Sequence, residues 1–233
     1  MNMKDLSEDI ACVRSRLSSS IDFRSGLYNL GSFLAERISS LYEPGRRYHV
    51  VSAVDDFDTF ASGVRTQLAL NGKVTFSCLW PQYEKLAQEP LIEVCPIYQA
   101  YHDPIPDEPY DLVFASANIG STTRLKAMAT HMLFDRGFEG QRNWVVAAFS
   151  HHDAEENLSA ELSPSHHLFW ETIDTDLDLD QDGFSVPGVG GHPVLRAGFP
   201  RTRVPGSFIP QNVKEAIEIR RNQAFGNNST FEI

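Results

Sequence analysis

Tyr48-His49-Val50-Val51-Ser52-Ala53-Val54 runs directly into Asp55-Asp56-Phe57-Asp58, and this stretch decides the fold. A short, uninterrupted apolar run is the pattern of a strand buried on both faces, and such strands belong to parallel sheets. Helical periodicity follows to about Leu70, then Asn71-Gly72 reads as a turn and Val74 to Leu79 as a second strand. Further along, Leu91 to Tyr98, Asp111 to Ser116, Trp144 to Phe149 and His167 to Ile173 read as strands, with a helix from Arg124 to Phe134. Strands alternating with helices define the α/β class, a mainly parallel sheet with helices on both faces.

Upstream of this unit, residues 6 to 41 form a helical pair. Leu6, Ile10, Val13 and Leu17 share one spacing, and Phe23, Leu27, Leu30, Leu34 and Ile38 resume it. Ser18-Ser19-Ser20, with Asp22 beyond it, supplies a break and a cap for the second helix. Glu43-Pro44-Gly45 is expected to turn the chain into the first strand. Residues 200–233, with Pro205, Pro210 and the polar end Asn227-Asn228-Ser229-Thr230, are read as a C-terminal arm carrying a helix around 211–222.

Composition narrows the partners. The 233 residues are 42% hydrophobic and carry a net charge of -11. That charge speaks against nucleic acid and against anionic membranes, because phosphate binding relies on Lys and Arg. No apolar run reaches the length of about 18 residues that a membrane span needs, and Met1 to Asp9 lacks the apolar core of a signal peptide. A cytoplasmic protein is expected. Cys12, Cys78 and Cys95 are too few and too scattered for a disulfide framework and read as small core residues. A small-molecule substrate is the expected partner.

In sheets of this kind ligands bind at the carboxyl ends of the strands, near a topological switch point. Three loops meet that description: 55–58, 116–123 and 150–153. In the first, Asp55 and Asp56 are candidates for proton handling or substrate orientation, and Asp55 with Asp58 for magnesium, with capping of the next helix as the structural alternative. In the third, His151 and His152 have the imidazole chemistry of a general base near neutral pH, although paired histidines also occur on ordinary surfaces. His166-His167 reads as structural. The second loop lacks the lysine of a nucleotide P-loop. Asp178 to Gly183 matches only the first half of a calcium loop, with Val189 where the closing glutamate belongs.

Three stretches together resemble the uracil phosphoribosyltransferase family. Val13-Arg14, Phe23-Arg24 and Leu30-Gly31 are similar to that family's opening helices. Val50 to Trp80 lies without gaps on its strand–loop–helix–strand unit. Thr172-Ile173-Asp174 and Gly183-Phe184-Ser185-Val186-Pro187-Gly188-Val189-Gly190 are similar to its base-binding stretch. The resemblance implies a phosphoribosyltransferase-like domain over residues 1–199, the helical pair included, and an arm that supports a homodimer. It implies that Phe184, Ser185, Val186, Gly188 and Gly190 recognise a flat amide-bearing molecule. Ser121, Thr122 and Thr123 would hold an anionic group through amides and hydroxyls.

The departures are as informative. The family's pyrophosphate-binding arginine falls at Asp55, the leading aspartate of its phosphoribosyl-diphosphate loop at Ala115, and the aspartate after its Pro-Gly-x-Gly at Gly191. No basic residue stands near Trp80-Pro81. A rival alignment with the paired-acid loop of other phosphoribosyltransferases puts Phe60-Ala61 where that loop needs Thr-Gly. Two unit charges ~4 Å apart interact by roughly 4 kcal/mol at an effective dielectric near 20. Replacing arginine by aspartate beside a diphosphate turns that attraction into repulsion unless a cation intervenes. The leading expectation is therefore a repurposed enzyme for acid–base or group-transfer chemistry on a small, flat, amide-containing molecule, with no cofactor beyond magnesium. The alternatives are a magnesium-dependent phosphoribosyltransferase with altered base specificity and a catalytically silent paralogue that binds or regulates.

Overall fold

The structure, a computed structural model, describes residues 3–41, 45–86, 92–105, 108–138, 140–162, 166–199 and 207–226. The expected turn residues Glu43 and Pro44, Leu91 at the start of the expected third strand, and the arm segments 200–206 and 227–233 lie outside the described residues.

Two helices open the chain, α1 (Met3–Arg14) and α2 (Ser20–Ser40). Ser19 is the α2 N-cap: its Oγ accepts from Asp22 N at 3.1 Å, so the serine break does what its sequence implies. Next come β1 (Arg46–Ala53), α3 (Phe60–Asn71) and β2 (Gly72–Pro81). A small hairpin, β3 (Glu84–Leu86) and β4 (Ile92–Val94), precedes β5 (Ile97–His102). β6 (Asp111–Ile119), α4 (Thr123–Thr130), a π-helical turn (His131–Asp135) and β7 (Asn143–His151) follow. The chain then forms α5 (Ala154–Glu161), β8 (Leu168–Asp176), the hairpin β9 (Asp178–Leu179) and β10 (Ser185–Val186), α6 (Pro193–Arg196) and α7 (Gln211–Gly226).

Six strands build the main sheet in the order β5-β2-β1-β6-β7-β8. All neighbours are parallel except β5, which runs antiparallel along the β2 edge. The α/β class and mainly parallel sheet expected from the sequence are what the chain forms. Alternation within the apolar runs shows why both faces are covered. Val50, Val113, Ala115, Val146 and Ala148 face α1, α2 and α3, whereas Val51, Phe114, Val145 and Ala147 face α4, the π turn and α5. Gly31 and Gly63 let α2 and α3 touch backbone to backbone, since a Cβ on either would collide with a carbonyl of the other helix.

Three boundaries differ from the sequence reading. β6 continues through Ser116, Ala117 and Asn118 to Ile119 because these residues pair with β7 and are buried; the loop after it is only Gly120–Thr122. β7 likewise extends to His151, which pairs with Asp176 of β8. The segment read as β from Leu91 to Tyr98 is two strands, β4 and β5, of different sheets.

The described part of the arm docks on the same body. Val213 packs with Phe57, Cys78 and Trp80, and Trp80 Nε1 donates to Phe208 O at 2.8 Å. Arg220 donates to Asp103 Oδ1 at 2.7 Å. Among the described residues, no helix is long and apolar enough to cross a membrane.

Candidate functional site

β1 and β6 are adjacent, and the loops at their carboxyl ends meet. Asp56 is the link. It is buried, and its Oδ2 accepts from Ser116 Oγ at 3.0 Å and Ala117 N at 3.1 Å. Its Oδ1 is buried without a hydrogen-bond partner. Burial, and then the neighbouring Asp55 charge, push its carboxyl up to about 6, against the pull of Ala117 N, Arg124 and Ser116. Asp56 therefore titrates near neutrality while standing behind the front of the cleft.

Asp55 occupies that front. Its Oδ2 lies 3.2 Å from Arg124 Nη1, in the first turn of α4. Arg124 also lies over the Phe184 ring at 5.4 Å. The sequence reading of an uncompensated acidic pocket thus needs correction: an arginine 69 positions away neutralises Asp55. Arg124 carries no motif, so only the packing of α4 against the β1 loop reveals it.

Asp58 faces elsewhere. Its carboxylate accepts from Gln211 N at 2.7 Å, Asn212 N at 3.3 Å and Asn212 Nδ2 at 2.7 Å, and so caps α7. None of the three acids caps α3, whose N-cap Thr59 makes no side-chain cap bond. Asp55 and Asp58 do not converge, and Arg124 already neutralises the first. The pair does not fit a magnesium ion, which needs converging oxygen ligands.

The 183–190 segment lies directly on the end of β6. Asn118 holds Ser185 by two bonds: Oδ1 accepts from Ser185 N at 3.0 Å and Nδ2 donates to Ser185 O at 3.2 Å, with Ser185 Oγ 3.1 Å from the same Oδ1. Asp176 Oδ2 accepts from Ser185 Oγ at 2.7 Å and Gly188 N at 3.0 Å. Phe184 N donates to Asp180 Oδ1, Phe184 O accepts from Asp180 N, and Gly190 N donates to Pro187 O. Val186 pairs with Asp178 in the hairpin. Phe184 N and O, Ser185 N and O, Gly188 N and Gly190 N, among the backbone groups expected to read a flat amide, are thus already paired within the protein. Asn118 and Asp176, which do this pairing, were absent from the sequence-based candidates.

Ser121 N donates to Gly183 O at 2.7 Å. Gly120 sits so close to Gly183 O that a Cβ would collide with it. What remains between the hairpin and α4 is a cavity of about 30 Å³, lined by Tyr83, Asn118, Gly120, Ser121, Arg124 and Phe184, among others. That is room for a water molecule or so. Thr122 is the α4 N-cap position and makes no side-chain cap bond, and Thr123 begins the helix.

His151 and His152 lie across β6, at the end of β7. His151 Nε2 is 3.1 Å from Leu177 O, and its Nδ1 accepts from Asp153 N at 3.3 Å. His152 Nε2 is 3.0 Å from Asp153 Oδ1. Ligand atoms of His151, His152 and Asp153 lie within 4.8 Å of one another, a set that suits a transition metal better than magnesium. Both ring nitrogens of His151 are nevertheless engaged. The side-chain contacts of this group are with Leu177 and among its own members, not with Asp55 or Asp56.

The sheet order defines an α/β protein, and the loops at its carboxyl edge make the β1/β6 ends a candidate site. No protein-family model and no curated protein matches the sequence. Among solved structures the chain is similar to the AQ2163 protein from Aquifex aeolicus, with a TM-score of 0.62 at 13% identity over 84% of this chain and 95% of that one. A likeness at this identity speaks for the fold alone. Weaker similarity extends to an adenine phosphoribosyl transferase from Trypanosoma brucei (TM-score 0.44, 10% identity, 82% of this chain and 77% of that one). A hypoxanthine phosphoribosyltransferase from Staphylococcus aureus follows (0.38, 11%, 64% and 74%). These two carry no argument about this chain's activity.

Proposed function

We propose that the chain is a phosphoribosyltransferase-like protein whose donor site has been rebuilt to bind a different small molecule. The observation that carries this reading is the Arg124–Asp55 pair over the closed end of β6. Two donors that suit a ligand's anionic or carbonyl oxygen, Arg124 Nη1 and Ser121 N, are met there by protein oxygens, Asp55 Oδ2 and Gly183 O. A ligand that enters exchanges with those oxygens. It takes Arg124 from Asp55 and lifts the 180–185 turn from Ser121.

Exchange leaves a free Asp55 carboxylate beside the bound molecule. Proton transfer to or from the ligand is then within its chemistry, and the buried Asp56 fixes the loop that carries it. Ser121, Thr122 and Thr123 hold the anionic end and Phe184 covers a flat ring. In this reading the substrate is small, planar and amide-bearing, and the reaction is of acid–base or group-transfer type. His151 and His152 take no part in the first binding step. A cytoplasmic homodimer completes the reading, and light scattering on the purified chain tests the dimer.

The test is calorimetric titration with inorganic pyrophosphate, with phosphoribosyl diphosphate with and without magnesium, and with planar amides such as uracil. Asp55→Asn unmasks Arg124 and is expected to tighten anion binding about tenfold, while Arg124→Gln removes it. If neither the native chain nor Asp55→Asn binds any of these probes, the site is not a ligand site. The silent-paralogue alternative, which the small cavity favours, then takes its place.

A further inference from the structure

A chain of three histidines runs from β1 past β2 and β5 to the π turn. Thr75 Oγ1 is 2.8 Å from His49 Nδ1, and His49 Nε2 is 2.7 Å from Ser77 Oγ. Ser77 Oγ is 2.7 Å from His102 Nδ1, and His102 Nε2 is 3.4 Å from His131 Nε2. His131 Nδ1 lies 3.6 Å from Asp135 Oδ2. The His102 and His131 rings are tilted by only 20°, so the link between them is nearly in plane.

Asp135 gives this chain a direction. At 3.6 Å the Asp135 carboxylate is an electrostatic neighbour of His131 Nδ1 rather than a hydrogen-bond acceptor, and its charge favours the neutral tautomer with the proton on Nδ1, so that Nε2 accepts. His102 then carries its proton on Nε2 and accepts at Nδ1 from the Ser77 hydroxyl. Ser77 in turn accepts from His49 Nε2–H. His49 Nδ1 accepts from the Thr75 hydroxyl, which points there rather than to Tyr48 O at 3.5 Å. All three imidazoles are satisfied while neutral.

The chain ends at a cavity of about 550 Å³, within the size range of small-molecule sites. Its walls include Cys95, Ile97, Lys126, Thr130, His131 and Asp135, with Glu161 at the rim. The π turn contributes His131 and Asp135 to its lining, and turns of this kind occur frequently at functional sites. Lys126 and Glu161 cancel each other at 3.1 Å, and Arg136 is not among the lining residues. Asp135 is left as the charge without a full partner, because 3.6 Å to His131 is longer than a hydrogen bond of ordinary strength.

We propose that this cavity is a second binding site, which takes a small organic ammonium ion on an apolar body, with Asp135 as its counter-ion. Ile97, Val94 and Ala127 meet the apolar part, and the relay keeps His131 neutral so that it does not repel the cation. Burial, with the nearby Arg136 charge, lowers His131 from its ordinary value despite the pull of Asp135, and His102 is pushed down to about 4 by burial, Arg136 and His131. The site shares Thr123 with the α4 start, but neither Arg124 nor Asp55 lines it.

The experiment titrates the intact protein with benzylamine, benzyl alcohol and benzoate, which share one skeleton and differ in charge. Binding is followed by calorimetry and by the ¹⁵N signals of the histidine rings. Benzylamine is expected to bind at least tenfold tighter than the alcohol and to move the His131 signals. Binding should weaken only once pH falls below the ordinary imidazole range, where protonated His131 claims Asp135. Asp135→Asn, at a side chain that is 64% exposed, should remove the tenfold preference. Asp55→Asn should leave it intact. Equal or tighter binding of benzoate, no binding of the amine, or an Asp135→Asn variant that keeps the preference each overturns the proposal. So does loss of the preference in Asp55→Asn, which would assign the amine to the other site.

Discussion

Arg14 and Asp176, 162 positions apart, meet at 2.9 Å between Nη2 and Oδ1. The arginine ends α1, and the aspartate ends β8, where its other oxygen receives Ser185 Oγ and Gly188 N. One nearly buried carboxylate thereby ties the N-terminal helix to the loop that covers the β6 end. Arg14 also stacks over the Phe149 ring at 4.5 Å and reaches Asp174 at 3.0 Å.

Asp176→Ala is accordingly expected to be among the more damaging single changes in the chain. It takes one of two carboxylates from Arg14, which keeps Asp174, and leaves the buried donors Ser185 Oγ and Gly188 N without that acceptor, at a cost of about 1–3 kcal/mol for each unsatisfied group. Urea unfolding should show this loss. Hydrogen exchange should rise in 183–190 before the rest of the sheet responds.

The histidine relay makes stability depend on acid. His49 is pushed down to about 3 by burial and then by His102, and His102 to about 4. In the unfolded chain both titrate near 6.5. The fold therefore holds its full stability above pH 6.5 and loses it as pH falls through 6.5 toward the folded values. His49 alone contributes a slope of about 1.4 kcal/mol per pH unit in that window. His49→Gln should flatten the slope by about one proton, measured as the change in urea midpoint between pH 7 and 4.5.

Asp56 has the opposite sign. Its folded value near 6 lies above the unfolded 3.8, so its contribution is complete below pH 3.8 and is lost as pH rises through 6. At pH 7.5 the ionised, half-satisfied carboxylate costs about 3 kcal/mol relative to a neutral one. Asp56→Asn keeps an oxygen for Ser116 and Ala117 but leaves an unmatched amide donor, which takes back about 1–3 kcal/mol. The sharper readout is therefore the pH profile. The native-minus-variant stability should fall between pH 4 and 7, and a flat difference would mean that Asp56 titrates as an ordinary carboxylate.

Much of this scaffold is written locally. The Val50-Val51 and Val145-Val146 runs point alternately to two cores, and runs without polar interruption already demand helices on both faces. Ser19 is a cap that a reader of the sequence can find. The site is different, because its contacts join residues with no local signature: Asp55 to Arg124, Asp56 to Ser116, and Asp58 to the start of α7. A charge at position 55 reads as an inversion until the tertiary fold brings its counter-charge. Likewise His49, His102 and His131 are single histidines in three separate elements, and only strand pairing and the π turn align them. The ends of β6 and β7 are hidden in the same way, since polar residues such as Ser116 and Asn118 look like loop until Asp56 and Ser185 satisfy them.

Gly120 tests whether the β6 end works as a closed latch. Its backbone lies against Gly183 O, Ser185 N and Phe184 C, and an added methyl would overlap all three. These are backbone atoms of a hairpin tied down by Asn118 and Asp176, so the strain cannot be relieved by a rotamer change. Gly120→Ala should either lift the hairpin or tilt the end of β6. Overpacking of this kind costs about 1–3 kcal/mol. The Ser121–Gly183 bond is the first to break, because it joins the two pieces being pushed apart. Amide exchange of Ser121 and the 178–186 hairpin should then accelerate by at least tenfold, while α2 and β1 exchange as before. Gly137→Ala is the control: that glycine has φ +66 with nothing within 4 Å, so the change costs about 1 kcal/mol through backbone conformation alone and should leave the hairpin untouched. If Gly120→Ala exchanges like the control, the hairpin is not pressed on β6. The contact between Arg124 and Asp55 would then be the sole closure of the cleft.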